Sequence, residues 1–123
     1  MSYRQRKGLD SERAAAEYLG AQGFEILERR YRFGHKEIDL VARKNELVVF
    51  VEVKSRGSAV FGPAELSLRE RQRKNLVEAA GGYLLEKGIA GPECSYRFDV
   101  ILFHPPDNSG KVRLEHIPDA FRA

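Results

Sequence analysis

Tryptophan is missing from this chain, cysteine occurs once, and no run of apolar residues is long enough to cross a bilayer. A single Cys94 excludes an internal disulfide. With no second cysteine or histidine at ligand spacing, it reads as a small semi-buried apolar residue. The basic start, Met1 to Lys7, is followed by no apolar signal region. A cytoplasmic protein is therefore expected, with no membrane partner. Low-complexity tracts, repeats and Pro/Gly-rich linkers are also missing, so one domain over residues 1–123 is expected. No glycine-rich phosphate cradle is present, and ATP dependence is not suggested.

What is present is an ordinary globular balance, 42% hydrophobic and 32% charged, which separates the chain from disordered sequences. The net charge of +3 says little, but its distribution says more. Residues 1–74 hold 16 Lys/Arg against 11 Asp/Glu, and residues 75–123 hold 5 against 7. Excess positive charge in the first part favours a polyanionic partner. The groups expected at a nucleic acid are Arg30, Arg32, Arg56, Gln72, Arg73 and Lys74.

Periodicity predicts a helix over about 10–22, capped by Asp10 or Ser11 and stopped at Gly23. Strands follow at 25–32, 36–43 and 46–54, with turns at Gly34-His35 and Lys44-Asn45. A long helix is predicted over 66–87, with Leu76, Ala80, Tyr83 and Leu84 on its apolar face. Strands at 95–103 and 112–117 complete the order α-β-β-β-α-β-β, an α/β fold with a mixed sheet flanked by helices. Gly81-Gly82 weakens the second helix, and close helix–sheet packing accounts for it.

The most informative segment is Leu47-Val48-Val49-Phe50-Val51-Glu52-Val53-Lys54. It is a buried strand that ends in a carboxylate and an ammonium, both costly to desolvate. Asp39 lies thirteen residues before Glu52, in the strand Glu37-Ile38-Asp39-Leu40-Val41. A Lys44-Asn45 turn pairs Asp39 with Phe50 and Glu37 with Glu52. Glu37, Asp39, Glu52 and Lys54 then share one face, with Asp39 and Glu52 diagonal at roughly 5–8 Å between Cβ atoms. On the first helix the stripe Leu9, Glu12, Ala16, Leu19 turns Glu12 towards the same pocket, although a carboxylate in a first turn also complements the helix dipole.

Crowded carboxylates favour a divalent cation, and all-oxygen ligands suit Mg²⁺ or Mn²⁺. Asp39, Glu52, the Val53 carbonyl and Glu12 are the expected ligands. Lys54 is expected to orient the attacking water or stabilise phosphate charge, with a salt bridge to Glu52 or Asp39 as its plain structural alternative. Glu37 ranks second. Asp99 is expected to order a strand or to pair with Arg97.

Asp39 and the triplet Glu52-Val53-Lys54 resemble the acidic-x-Lys core of the restriction-endonuclease-like (PD-(D/E)xK) nucleases, and the helix bearing Glu12 resembles that of Holliday-junction resolvases. More closely, the chain resembles the YraN-type uncharacterised bacterial family. The matching blocks are Gly8-x-x-Ser-Glu12-x-x-Ala15-x-x-x-Leu19, Glu37 to Leu40, Phe50 to Arg56, Phe61-Gly62, Arg97 to Val100 and His116 to Phe121. The resemblance implies a restriction-endonuclease-like core and a divalent-metal-dependent endonuclease acting on DNA rather than RNA, branched or damaged DNA included. A nucleic-acid-binding module that has kept the fold without catalysis is the alternative, and a homodimer is an open assembly. Three departures stand out. Ile38 replaces the superfamily's proline, Ser11 stands where the closer family often has glycine, and Gln72 where lysine is usual on the long helix.

Overall fold

The computed structural model describes residues 3–55, 70–89 and 95–122, with side chains from residue 10 onward. Arg56, Phe61-Gly62, Cys94 and the 66–69 start of the expected second helix lie outside the described residues. The elements run α1 (Tyr3–Ala21), β1 (Glu25–Phe33), β2 (Lys36–Lys44), β3 (Leu47–Ser55), α2 (Glu70–Glu86), β4 (Ser95–Phe103) and β5 (Leu114–Phe121). The expected α-β-β-β-α-β-β order stands, and the five strands form one mixed sheet in chain order. All neighbours are antiparallel except β3 and β4, which are parallel and joined through α2.

Each helix covers one face of the sheet. Val48, Phe50, Phe98 and Val100 pack with Leu76, Ala79, Ala80 and Tyr83 of α2. Leu40, Ala42, Val49, Val51 and Ile101 pack with Ala15, Ala16 and Leu19 of α1. The central strands are thus covered on both sides, which is why β3 reads as a continuous apolar run.

Three boundaries differ from expectation. Helix α1 begins at Tyr3, not near Asp10. Arg4, Gln5, Arg6 and Lys7 are good helix formers, and Gly8 does not outweigh them. Strand β5 runs on to Phe121 through Pro118, because an edge strand tolerates a residue without an N–H. The β2–β3 turn is Asn45-Glu46, not Lys44-Asn45: Lys44 pairs with Leu47, and Asn45 takes φ 54°. Asparagine suits the left-handed position in either placement, so the sequence signal did not distinguish them.

Moving the turn by one residue shifts the register by two. Val41 now pairs with Phe50 and Leu40 with Val51. A two-residue shift keeps the faces of β3 unchanged. Extended by one step, it sets Asp39 opposite Glu52 instead of diagonal to it.

The double glycine in α2 divides into two roles. A methyl at Gly82 would overlap the Phe33 ring, whereas one at Gly81 meets nothing within 4 Å. Gly81→Ala is expected to stabilise the fold by about 0.5–1 kcal/mol through helix propensity. Gly82→Ala must displace Phe33 and is expected to gain less or to lose stability. Urea unfolding of the two variants checks this; equal gains would show that Phe33 does not constrain Gly82.

Candidate metal centre

Between β1 and β2 the paired residues are Arg29 with Leu40 and Tyr31 with Ile38. Arg30 and Asp39 lie between these pairs, and Arg30 has φ 52°. A non-glycine residue in that region is uncommon in a strand. The sheet is locally irregular here: Ile38 packs in the α2 cluster, while Leu40, two residues on, packs in the α1 cluster. Strict alternation would put both on one side. Glu37 therefore turns to the α1 side, while Glu52 and Lys54, in phase with Phe50, lie on the α2 side. The single shared face expected for Glu37, Asp39, Glu52 and Lys54 does not form, and Asp39 stands between two sets.

One set comprises Glu12, Glu37 and Asp39, which offer carboxylate oxygens all within 4.8 Å of one another. Glu12 faces inward as the helical stripe requires, and its side chain is 17% exposed. Arg30 Nε donates to Glu12 Oε2 at 2.9 Å, and Arg32 Nε lies 3.5 Å from Glu37. Both arginines, expected at a phosphate backbone, are thus paired with the acidic cluster. Arg30 is held more firmly protonated by its hydrogen bond and charge contact with Glu12.

The other set is Glu52 and Lys54. Burial, with the Asp39 charge next in size, pushes the Glu52 carboxyl up to about 8. Burial likewise raises Asp39 to about 6 against the lowering effect of the Val53 N–H, with Glu12 and Glu37 adding repulsion. That N–H donates to Asp39 Oδ2 at 2.8 Å, replacing a ladder bond where β2 and β3 part. In an extended strand a residue's N–H and C=O leave on the same side. The Val53 carbonyl therefore faces the same gap. Lys54 Nζ donates to Gln72 Oε1 of α2 at 3.3 Å, and among the described residues it has no salt bridge to Glu52 or Asp39.

A donor set made only of oxygens, gathered at a partly buried position, fits a hard divalent cation such as Mg²⁺ or Mn²⁺.

A second buried polar network was not foreseen as a unit. Asp99, 1% exposed, accepts from Arg97 Nε at 2.9 Å and Nη2 at 3.1 Å, as expected from their spacing. It also accepts from His116 Nε2 at 2.7 Å and from the Asp119 N–H at 2.9 Å. His116 Nδ1 meets the Tyr18 hydroxyl of α1 at 3.0 Å. An ionised carboxylate only accepts, so His116 carries its Nε2 proton towards Asp99. The partners are 17 to 98 residues apart, and only Arg97-x-Asp99, at strand period, was legible locally.

Proteins from several bacteria are similar to this chain over most of its length. A protein of Moorella thermoacetica named "UPF0102 protein" is 45% identical over 118 residues, 96% of this chain and 97% of its own. One of Hahella chejuensis with the same name is 41% identical over 114 residues, 93% of this chain and 88% of its own. One of Chlorobium phaeobacteroides is 36% identical over 120 residues. Residues 11–103, from the helix of Glu12 to the end of β4, match the family description as well. By these matches the chain belongs to UPF0102, an uncharacterised protein family.

Proposed function

We propose that this chain is a divalent-metal-dependent endonuclease that hydrolyses DNA phosphodiester bonds. The observation that carries this reading is the convergence of Glu12, Glu37 and Asp39 within 4.8 Å, with Glu52 close enough to Asp39 to feel its charge. Asp39 and Glu52, with the Val53 carbonyl and Glu12, would hold Mg²⁺ or Mn²⁺, and Glu37 is added to that set by its position. The ion supplies charge neutralisation at the phosphate and acidifies water.

The chain's own residues do the rest. Hydrolysis joins a water oxygen to phosphorus and breaks one phosphorus–oxygen bond, and the departing oxygen takes up a proton. Negative charge builds on the phosphate oxygens as this happens. Lys54, which donates to Gln72, is a cation on the α2 side that would face those oxygens. Arg30 and Arg32 orient the Glu12 and Glu37 carboxylates through their contacts with them.

The test is cleavage of duplex, flapped and four-way DNA with Mg²⁺ or Mn²⁺. Wild type is expected to cut at least one substrate, and Asp39→Ala and Lys54→Ala to fall by at least about 100-fold, as for loss of one charge-stabilising group. Variants that cut as well as wild type would sink the catalytic reading. The pairing of Arg30 with Glu12 favours one other reading, a non-catalytic nucleic-acid-binding module, since it neutralises a carboxylate without an ion. Salt-sensitive binding with no turnover is the result that reading requires.

A further inference from the structure

Beyond the acidic cluster, the face covered by α2 carries a groove that the proposed chemistry does not use. It lies along the side of α2 that carries Glu70, Arg73, Lys74, Val77 and Glu78. Arg73, Lys74 and Val77 of α2 wall a cleft of about 490 Å³, closed on the other side by Phe121 and Arg122. The same Phe121 and Arg122 wall a second cleft of about 400 Å³, together with Tyr96, Arg97 and Phe98. The two clefts therefore meet at the end of β5. Each falls in the range of about 300–1,000 Å³ that takes a small-molecule-sized group.

The lining is aromatic and cationic. Phe121 stacks on Phe98 with centroids 4.7 Å apart, and Tyr96 meets Phe98 edge-on at 6.0 Å. Tyr96 nevertheless leaves 49% of its surface to solvent. Three acids also line the clefts. Glu78 is paired with Lys36, and Asp119 with Arg122 at 3.0 Å, while Glu70 sits in the first turn of α2. Arg73 and Lys74 have no ion pair among the described residues.

We infer that this groove binds single-stranded DNA, with a base stacked on Tyr96 and phosphates along Arg73, Lys74 and Arg122. An exposed aromatic face takes an unstacked base, and a base inside a duplex already has both faces covered. The clefts are sized for nucleotides in file. Arg73 and Lys74 share α2 with Gln72, the contact of Lys54, so the groove and the proposed site have that helix in common. Only the naming of a substrate, DNA with an unpaired arm, rests on the nuclease reading.

Binding is tested in a chelator, where no cleavage occurs, by fluorescence anisotropy. The probes are a fluorescein-labelled oligothymidylate of about 12 nucleotides, within the ~4–16 nucleotides such surfaces cover, and a labelled duplex of the same length. Wild type is expected to prefer the single strand. Tyr96→Ala should weaken that binding by about 5- to 100-fold, and Tyr96→Phe should restore it. Arg73→Gln with Lys74→Gln should flatten the salt dependence by a slope of about 1.4, two phosphates at ~0.7 each. Both lie on the helix surface, so this variant remains informative if Tyr96→Ala fails to fold. Equal affinity for duplex and single strand, a folded Tyr96→Ala that binds as wild type, or an unchanged salt slope in the double variant would overturn the inference. Tyr96-dependent binding without cleavage in Mn²⁺ would keep the groove and remove the nuclease reading. Cleavage with Tyr96-independent binding would do the reverse.

Discussion

Asp99→Ala is expected to cost about 3–5 kcal/mol of folding stability, the range for breaking a buried charged network by removing one partner. The carboxylate is fully enclosed and joins three elements: Arg97 on its own strand, the Asp119 N–H and His116 on β5, and through His116 the Tyr18 hydroxyl of α1. Removing it leaves the Asp119 N–H without its acceptor and His116 without its orienting partner. For a domain of this length, total stability is on the order of 6–18 kcal/mol, so the loss is a large fraction of it. Urea unfolding at pH 7 measures it, and a loss below about 1 kcal/mol would mean that the network contributes little. The pH dependence supplies a second check. Burial alone would raise Asp99, but the hydrogen bonds from His116, Arg97 and Asp119 outweigh it and hold the carboxyl below its usual range. A depressed folded pKa gives stability that is present above the unfolded value, about 3.9, and lost as pH falls through the folded one. The gap between wild type and Asp99→Ala should therefore narrow below about pH 4.

Glu52→Gln is expected to act in the opposite direction. In the metal-free protein Glu52 is lifted to about 8 by burial and by Asp39. For an acid raised in this way, stability is present below the unfolded pKa and lost as pH rises through the folded one. Wild type should thus lose stability between about pH 4.5 and 8, and a neutral glutamine should not share that loss. In a chelator Glu52→Gln should exceed wild type by about 2–4 kcal/mol at pH 9 and match it near pH 4.5. Thermal unfolding across that range measures both ends. A variant less stable than wild type at pH 9 would show that Glu52 is not under charge stress. The position therefore sets stability against function, since the carboxylate that destabilises the fold is one the proposed activity requires.

Much of this was legible locally. Asp39, Glu52 and Lys54 stood out because charged groups interrupt apolar strands, and period-two alternation put Glu52 and Lys54 on one face. The limits of β4 were readable because its apolar run is bounded at both ends. The side taken by Glu37 was not, because it depends on an irregularity at Arg30 and Asp39, and arginine carries no turn signal. The register slipped by two because Asn45 suits either position of a tight turn. His116 joins Asp99 only once β5 docks on β4, a long-range event that no spacing within the chain encodes.

Arg30 and Asp119 have a joint consequence. These two left-handed residues lie on β1 and β5, the outermost strands of the sheet. An open strand edge is a template on which another chain can build, and a break in the backbone's regular spacing spoils that template. Arg30 interrupts one rim among charged neighbours, Glu28, Arg29 and Arg32. On the other rim, Pro118 supplies no donor and Asp119 turns its N–H inward to Asp99. Both margins thus disfavour edge-to-edge pairing with another chain, and among the described residues the sheet has five strands.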